Sequence, residues 1–191
     1  LAKEIIRATQ SAGFSTSVKT RLGYTSVDEW RIWLTNILEE KPEALTVHLR
    51  TKKEMSKVKA HYELIPEIAE LRNEISPSTK LIINGDIKSA AEASKYVALG
   101  ADGIMIGRGV FANPFCFEKE PREHTRQELL ELMQYHLDLY EKYELAPYDP
   151  LKRFFKIYIN NFPGASDIRE QLMYTKTIAE ARAIIEPLIK E

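Results

Sequence analysis

The sequence has 191 residues, 44% of them hydrophobic and 29% charged, with a net charge of −1. These are the proportions of a globular domain, alone or with an appendage. The apolar runs are only a few residues long, which excludes a bilayer-spanning helix. Near-neutral charge excludes holding a nucleic acid by a global field, so any such partner needs a local basic patch. One cysteine, Cys116, excludes an internal disulfide and fits a reducing cytosol. Leu1-Ala2-Lys3-Glu4 carries no signal-peptide pattern, so a cytoplasmic location is expected. The first residue is not methionine, and a piece of a longer chain is expected.

In chain order, Leu1–Ala12 has helical spacing, with Gly13 as its stop. Ser17–Leu22 alternates with period two and predicts a strand. Ser26–Glu39 is helical through Trp30, Trp33, Leu34, Ile37 and Leu38, and Ala44–Leu49 is the next strand. A helix over Tyr62–Ile75, a strand over Leu81–Asn84, a helix over Ala90–Leu99 and a strand over Ile104–Ile106 follow. Strands alternating with helices call for parallel pairing through crossover connections. Two architectures suit this pattern: an open doubly wound sheet, or part of a (β/α)8 barrel. A whole barrel takes about 250 residues, and here the alternation stops near Pro114. If it is a barrel, about half of it is missing, leaving four C-terminal βα units.

Beyond Pro114 the pattern is helical only. Thr125-Arg-Gln-Glu128 is a capping box opening a long helix to Tyr143. Asp149-Pro150 starts another, which Phe162-Pro163-Gly164 ends. Ser166 is expected to cap a short helix, and Thr177-Ile-Ala-Glu180 the last one. The expected division is an α/β part over 1–117 and a small all-α domain over 118–191.

Two strand ends raise a chemical question. Leu81–Asn84 runs into Asn84-Gly85-Asp86, and the next strand runs into Gly107-Arg108-Gly109. Gly85 lets backbone approach a ligand closely. Ser89-Ala-Ala-Glu92 begins a helix whose N-terminus suits phosphate, and the Arg108 guanidinium can fork onto phosphate oxygens. Barrels of this class build their phosphate site from the loops after strands seven and eight. Taken singly, Asn-Gly-Asp is a common turn and Gly-Arg-Gly is unspecific; on consecutive strands they reinforce each other. Strand alternation puts Lys19 and Arg21 on one face, and Thr46, His48 and Arg50 on one face. Lys19 and His48 are expected side by side, facing a ligand that gathers negative charge. No metal-ligand cluster is expected.

Together V-K-T-R-L-G, L-T-V-H-L-R-T, I-I-N-G-D-I and I-M-I-G-R-G-V-F-A-N-P resemble, in order, the tRNA-dihydrouridine synthase family. The tail resembles that family's helical domain, especially Leu151–Leu172 with its F-P-G-A and Arg169. The resemblance implies an FMN enzyme that reduces uridine in tRNA to 5,6-dihydrouridine with NADPH. On this sequence Lys19 and His48 would contact the isoalloxazine ring. Asn84, Gly85, Asp86, Gly107 and Arg108 would hold the ribityl chain and phosphate. Lys152, Arg153, Lys156 and Arg169 would touch RNA, although the same aromatic and basic helix also reads as core plus solvated face.

Two departures stand out. The family's general acid is a cysteine in an N-G-C-P-like loop that this sequence lacks, so no catalytic residue is assigned; Cys116, in Asn113-Pro-Phe-Cys-Phe117, reads as packing. Leu49 stands where the family has glycine, and either crowds the loop or packs behind the barrel. The implied partners are tRNA, NADPH, and either a missing N-terminal half barrel or a second copy of the chain. Two other readings remain: an inactive RNA-binding fragment, or another FMN- or phosphate-binding barrel oxidoreductase.

Overall fold

The computed structural model describes residues 1–143 and 147–189. The chain forms two compact units, Leu1–Val110 with Phe115–Glu120, and Phe111–Pro114 with Pro121–Glu191. The sequence reading divides the chain after Phe117. In the structure, 115–120 packs with the first unit, where the Ala90 N–H donates to the Cys116 carbonyl at 2.6 Å.

The first unit runs α1 (Ala2–Ser11), β1 (Ser17–Arg21), α2 (Trp30–Leu38), β2 (Ala44–His48), α3 (Ile65–Ile75), β3 (Lys80–Asn84), α4 (Ala93–Val97) and β4 (Gly103–Met105). A short helix, α5 (Gly109–Ala112), follows. Several helices begin with a 3-10 turn, at Val27–Glu29, Tyr62–Leu64 and Ala90–Glu92, so the predicted helices are right in place and their first turns are tighter than α. All strand pairs are parallel, in the spatial order β1-β2-β3-β4. A doubly wound sheet reverses its strand order at a switch point and carries helices on both faces. Here neighbours in sequence are neighbours in space. Val18, Leu45, Val47, Leu81, Ile83 and Ile104 share one face and join the core with Leu34, Ile37, Leu38, Ile65 and Ile68 of the helices. The other face carries Lys19, Arg21, Thr46, His48, Ile82 and Asn84. This is a partial (β/α)8-type barrel, with the polar face turned inward.

Leu49 is fully buried in the same core, so it packs behind the sheet and leaves the rim clear. The starts of the last two strands are tied by Arg72 of α3. Its guanidinium donates to the Thr79 carbonyl at 2.7 Å and pairs with Asp102, whose carboxylate also accepts from the Leu81 N–H at 2.9 Å. A buried guanidinium is tolerable only with such partners.

The second unit contains α6 (Arg126–Lys142), α7 (Phe155–Tyr158), α8 (Ala165–Tyr174) and α9 (Ile178–Ile189). The Thr125–Glu128 capping box forms as expected. Leu130, Met133 and Leu137 of α6 pack with Leu151, Phe155, Leu172, Ala181 and Ile185. Arg182 crosses from α9 to Asp138 and Glu141 on α6. The helix predicted from Asp149 is a 3-10 segment, Asp149–Phe154, leading into α7. Ser166 is not the cap of α8. Gly164 holds that position and Ser166 lies inside the first turn, because the Phe162-Pro163-Gly164 turn feeds the helix directly. No helix among the described residues is long and apolar enough to cross a membrane.

Gly100 turns the chain from α4 to β4 with φ +106, and a Cβ there would lie 2.7 Å from the Ala69 Cβ on α3. Both the left-handed backbone and the contact forbid a side chain. Gly100→Ala is therefore expected to destabilise the first unit by about 1–3 kcal/mol, read as a lower midpoint in urea unfolding. An unchanged midpoint would show that α3 and this turn are not packed as described.

Candidate functional site

The C-terminal strand ends form one row. Arg21 pairs in register with His48, His48 with Asn84, and Asn84 with Met105. Lys19 lies opposite Thr46, one side-chain step lower. The expectation that Lys19 and His48 stand side by side is corrected in this respect. The two strands pair in step from Ser17↔Ala44, so the third residue of one cannot meet the fifth of the other. Both still face the same side of the sheet, and Arg21 is the neighbour of His48.

Above this row sits Arg50, only 2% exposed. Its guanidinium reaches Asp86 with two nitrogens, one at 3.1 Å from Oδ1 and the other on Oδ2. Its Nε donates to the Val58 carbonyl at 2.7 Å, and a terminal nitrogen lies 3.4 Å from His48 Nε2. Hydrogen bonding from Arg50 is the main cause holding the Asp86 carboxyl below its usual range, against the effect of burial. Arg108 approaches Asp86 Oδ1 from the other side at 3.5 Å, with its side chain 69% exposed.

The turn that presents Asp86 is tightly fitted. Gly85 has φ +128, and a Cβ on it would stand 3.1 Å from the Ala60 Cβ and 3.2 Å from His48 Cδ2. Asp86 itself holds φ +51, a conformation that aspartate tolerates better than most residues. The Tyr62 hydroxyl donates to the Gly85 carbonyl, and the Asn84 amide donates to the Met105 carbonyl at 2.7 Å. His48, Asn84, Gly85, Asp86 and Arg108 thus share one rim, and Gly107 has open space where a side chain would be.

At the helix start after Ser89 most backbone donors are already engaged. The Lys88 and Ser89 N–H groups donate to Glu92, at 2.8 and 3.2 Å, and the Ala90 N–H donates to the Cys116 carbonyl. The capping-box glutamate that marks the helix in the sequence consumes the first two. Burial, then the positive charges of Arg21, Arg50 and Lys19, lowers the His48 pKa to about 4, with Asp86 opposing. His48 is neutral near pH 7.

In the second unit the expected RNA contacts divide. Lys152 lies 2.8 Å from Asp149, donates to the Met173 carbonyl at 3.1 Å, and has a side chain only 12% exposed. Arg169 donates to the Ile159 carbonyl at 2.8 Å. Arg153 and Lys156 are exposed. Cys116 is 1% exposed, and burial pushes its thiol pKa up, the opposite of an activated cysteine.

A rim of this kind on a parallel half barrel narrows the choice of family, and comparison with known proteins decides it. The dihydrouridine synthase (Dus) family model matches residues 1–191. The chain belongs to the dihydrouridine synthase family. It is 56% identical over 190 residues to a probable tRNA-dihydrouridine synthase 2 of Bacillus subtilis (strain 168), covering 97% of this chain and 58% of that protein. It is 55% identical over 193 residues to a probable tRNA-dihydrouridine synthase of Staphylococcus aureus (strain Mu50 / ATCC 700699), with the same coverage. A Staphylococcus epidermidis (strain ATCC 12228 / FDA PCI 1200) relative is 55% identical over 192 residues. The chain spans 58% of the length of these curated relatives.

Sequence reasoning passed over Arg50 and Arg21 as members of this rim. The signal was present: each lies on the inward face, Arg50 two residues beyond His48 and Arg21 two beyond Lys19.

The depressed His48 pKa has a sign. Between the ordinary value of 6.5 and about 4 the unfolded chain binds the proton that folded His48 refuses. Stability therefore falls as pH drops through that window. His48→Gln is expected to lose less melting temperature than the parent between about pH 7 and about pH 5. Equal losses in calorimetric scans would mean that His48 is not held neutral.

Proposed function

We propose that this chain is the flavin-holding and RNA-holding portion of a tRNA-dihydrouridine synthase, with FMN as cofactor, NADPH as reductant and uridine in tRNA as substrate. The observation that carries the reading is the convergence of His48, Asn84, Gly85, Asp86 and Arg108 on one end of a parallel sheet. The residues present fit a flavin phosphate. The Gly85 turn disfavours a side chain through its positive φ and its close fit to Ala60 and His48, Gly107 fronts open space, and the Arg108 guanidinium is largely exposed, with one long contact to Asp86.

FMN, when bound, would supply hydride for the 5,6 double bond of uracil. The chain's own residues have positioning roles. Arg108, with the backbone around Gly107, grips phosphate as a charge-assisted fork. Asn84, Gly85 and Asp86 follow the ribityl chain. Neutral His48 offers a hydrogen bond to the ring without adding a full charge, and the Lys19 ammonium supplies the positive charge that favours the reduced cofactor. Arg153 and Lys156 contact RNA phosphates from the second unit, while Lys152 and Arg169 brace the helices that carry them.

No residue of this chain serves as the general acid, since the one cysteine is buried and lies outside any N-G-C-P-like loop. Uridine reduction accordingly requires strands from a preceding half barrel or from a second copy. β1 is terminal in the sheet, and an open cleft of about 450 Å³ lined by Ile5, Ser17, Val18, Lys19, Trp33 and Ile37 runs along it, a surface suited to strand addition. Turnover by this chain alone would contradict that division of labour.

FMN titration followed by flavin fluorescence tests the reading. Removing a charged hydrogen-bond donor from phosphate costs about 1.5–3 kcal/mol. Arg108→Ala is therefore expected to weaken FMN roughly 10- to 100-fold. Failure of the parent chain to bind FMN favours the reading as an RNA-binding fragment. Equal affinity of parent and variant removes Arg108 from the phosphate site.

A further inference from the structure

The segment joining β2 to α3 crosses the rim as Thr51-Lys-Lys-Glu-Met-Ser-Lys-Val-Lys59. Lys52, Lys53, Lys57 and Lys59 are all exposed. Among the described residues none of their ammonium groups forms an ion pair. Elsewhere Lys3 pairs with Glu39, Lys80 with Asp102 and Lys152 with Asp149; what sets the loop apart is four exposed lysines within eight residues. The one acid inside the segment, Glu54, is turned inward and accepts from the Thr51 N–H at 2.6 Å and from His61 Nε2 at 2.9 Å. The outer surface of the loop is thus predominantly cationic, with Glu29 near Lys53 as a partial counter-charge, on a chain whose net charge is −1.

The loop is also built. The Lys52 and Lys53 N–H groups donate to the Gly23 and Tyr24 carbonyls, each at 2.9 Å. Arg21 donates to the Thr51 carbonyl at 3.0 Å, and Arg50 to Val58. The His61 N–H returns to the Leu49 carbonyl at 2.8 Å. Guanidinium groups rooted in the rim therefore hold the lysine-bearing backbone in place. Four like charges held on one fixed loop repel one another modestly through salt water, and a polyanion laid across them gains from all four at once. Lys52 further shares an open cleft of about 520 Å³ with Lys19, Arg21, Tyr24, Trp33 and one acid, Glu29, whose carboxylate is taken up by the Tyr24, Thr25 and Ser26 N–H groups. Tyr24 is 64% exposed. Cations beside an exposed aromatic ring match a chain of phosphates carrying stackable bases better than an acidic peptide.

We propose that the loop Thr51–Lys59, with Tyr24 beside it, is an RNA-docking surface at the mouth of the site, its four lysines neutralising phosphates. The inference rests on the reading of tRNA as substrate and assigns the first unit a share of the binding. Each neutralised phosphate contributes about 0.7–0.9 to the slope of log affinity against log salt. Changing all four lysines to glutamine is expected to reduce that slope by about three, while the fourfold lysine-to-arginine variant keeps it.

The measurement is filter binding of unmodified tRNA across a salt series, with parent chain and both variants. Their melting temperatures should match, because these ammonium groups hold nothing in the fold. A parent that binds no tRNA overturns the substrate reading and this inference with it. A parent that binds, with equal slopes for parent and glutamine variant, overturns only this inference. Unchanged tRNA binding with weakened polyglutamate binding would overturn it in favour of an acidic polypeptide partner.

Discussion

A single buried guanidinium organises the functional end of this molecule. Arg50 leaves β2 just past His48, and its nitrogens reach the Asp86 carboxylate, the Val58 carbonyl and the edge of His48. A charge so nearly removed from water is stable only when its donors are satisfied. That requirement fixes the Asn-Gly-Asp turn after β3 and the lysine-bearing loop after β2 relative to one another. Burial first, and then the positive charges of Arg21, Arg50 and Lys19, keep His48 neutral. Charge and loop geometry at this rim are therefore set together, and Arg50 adds to the burial that holds His48 neutral.

Much of the architecture was legible in the sequence because it depends on period. Two-residue alternation in Ser17–Leu22 and Ala44–Leu49 separates the apolar face, which meets α2 and α3, from the polar face. Capping boxes at Ser89 and Thr125 mark real helix starts. Membership of the dihydrouridine synthase family agrees with the motifs at the four strand ends.

What was not legible depends on register and on competition for donors. Nothing local in V-K-T-R-L says that Ser17 starts level with Ala44, and that alignment places Arg21, not Lys19, beside His48. The capping box after Ser89 correctly signals a helix, yet Glu92 and the Cys116 carbonyl use the N–H groups that a phosphate would need. Lys152 and Arg169 look like solvent-facing cations in sequence, whereas Asp149, Met173 and Ile159 claim them once the helices pack. Arg50 illustrates the converse: alternation puts it on the His48 face, but its carboxylate partner arrives only from the next βα unit.

If Arg50 and Asp86 shape the flavin cradle as one unit, their effects on cofactor affinity cannot be independent. The most direct check is a double-mutant cycle on the FMN dissociation constant, using Arg50→Met, Asp86→Asn and the combination. Residues joined in one network couple by about 0.5–3 kcal/mol, so the double variant is expected to be little weaker than the worse single one. Losses that simply add would mean that the clamp and the cradle are separate features.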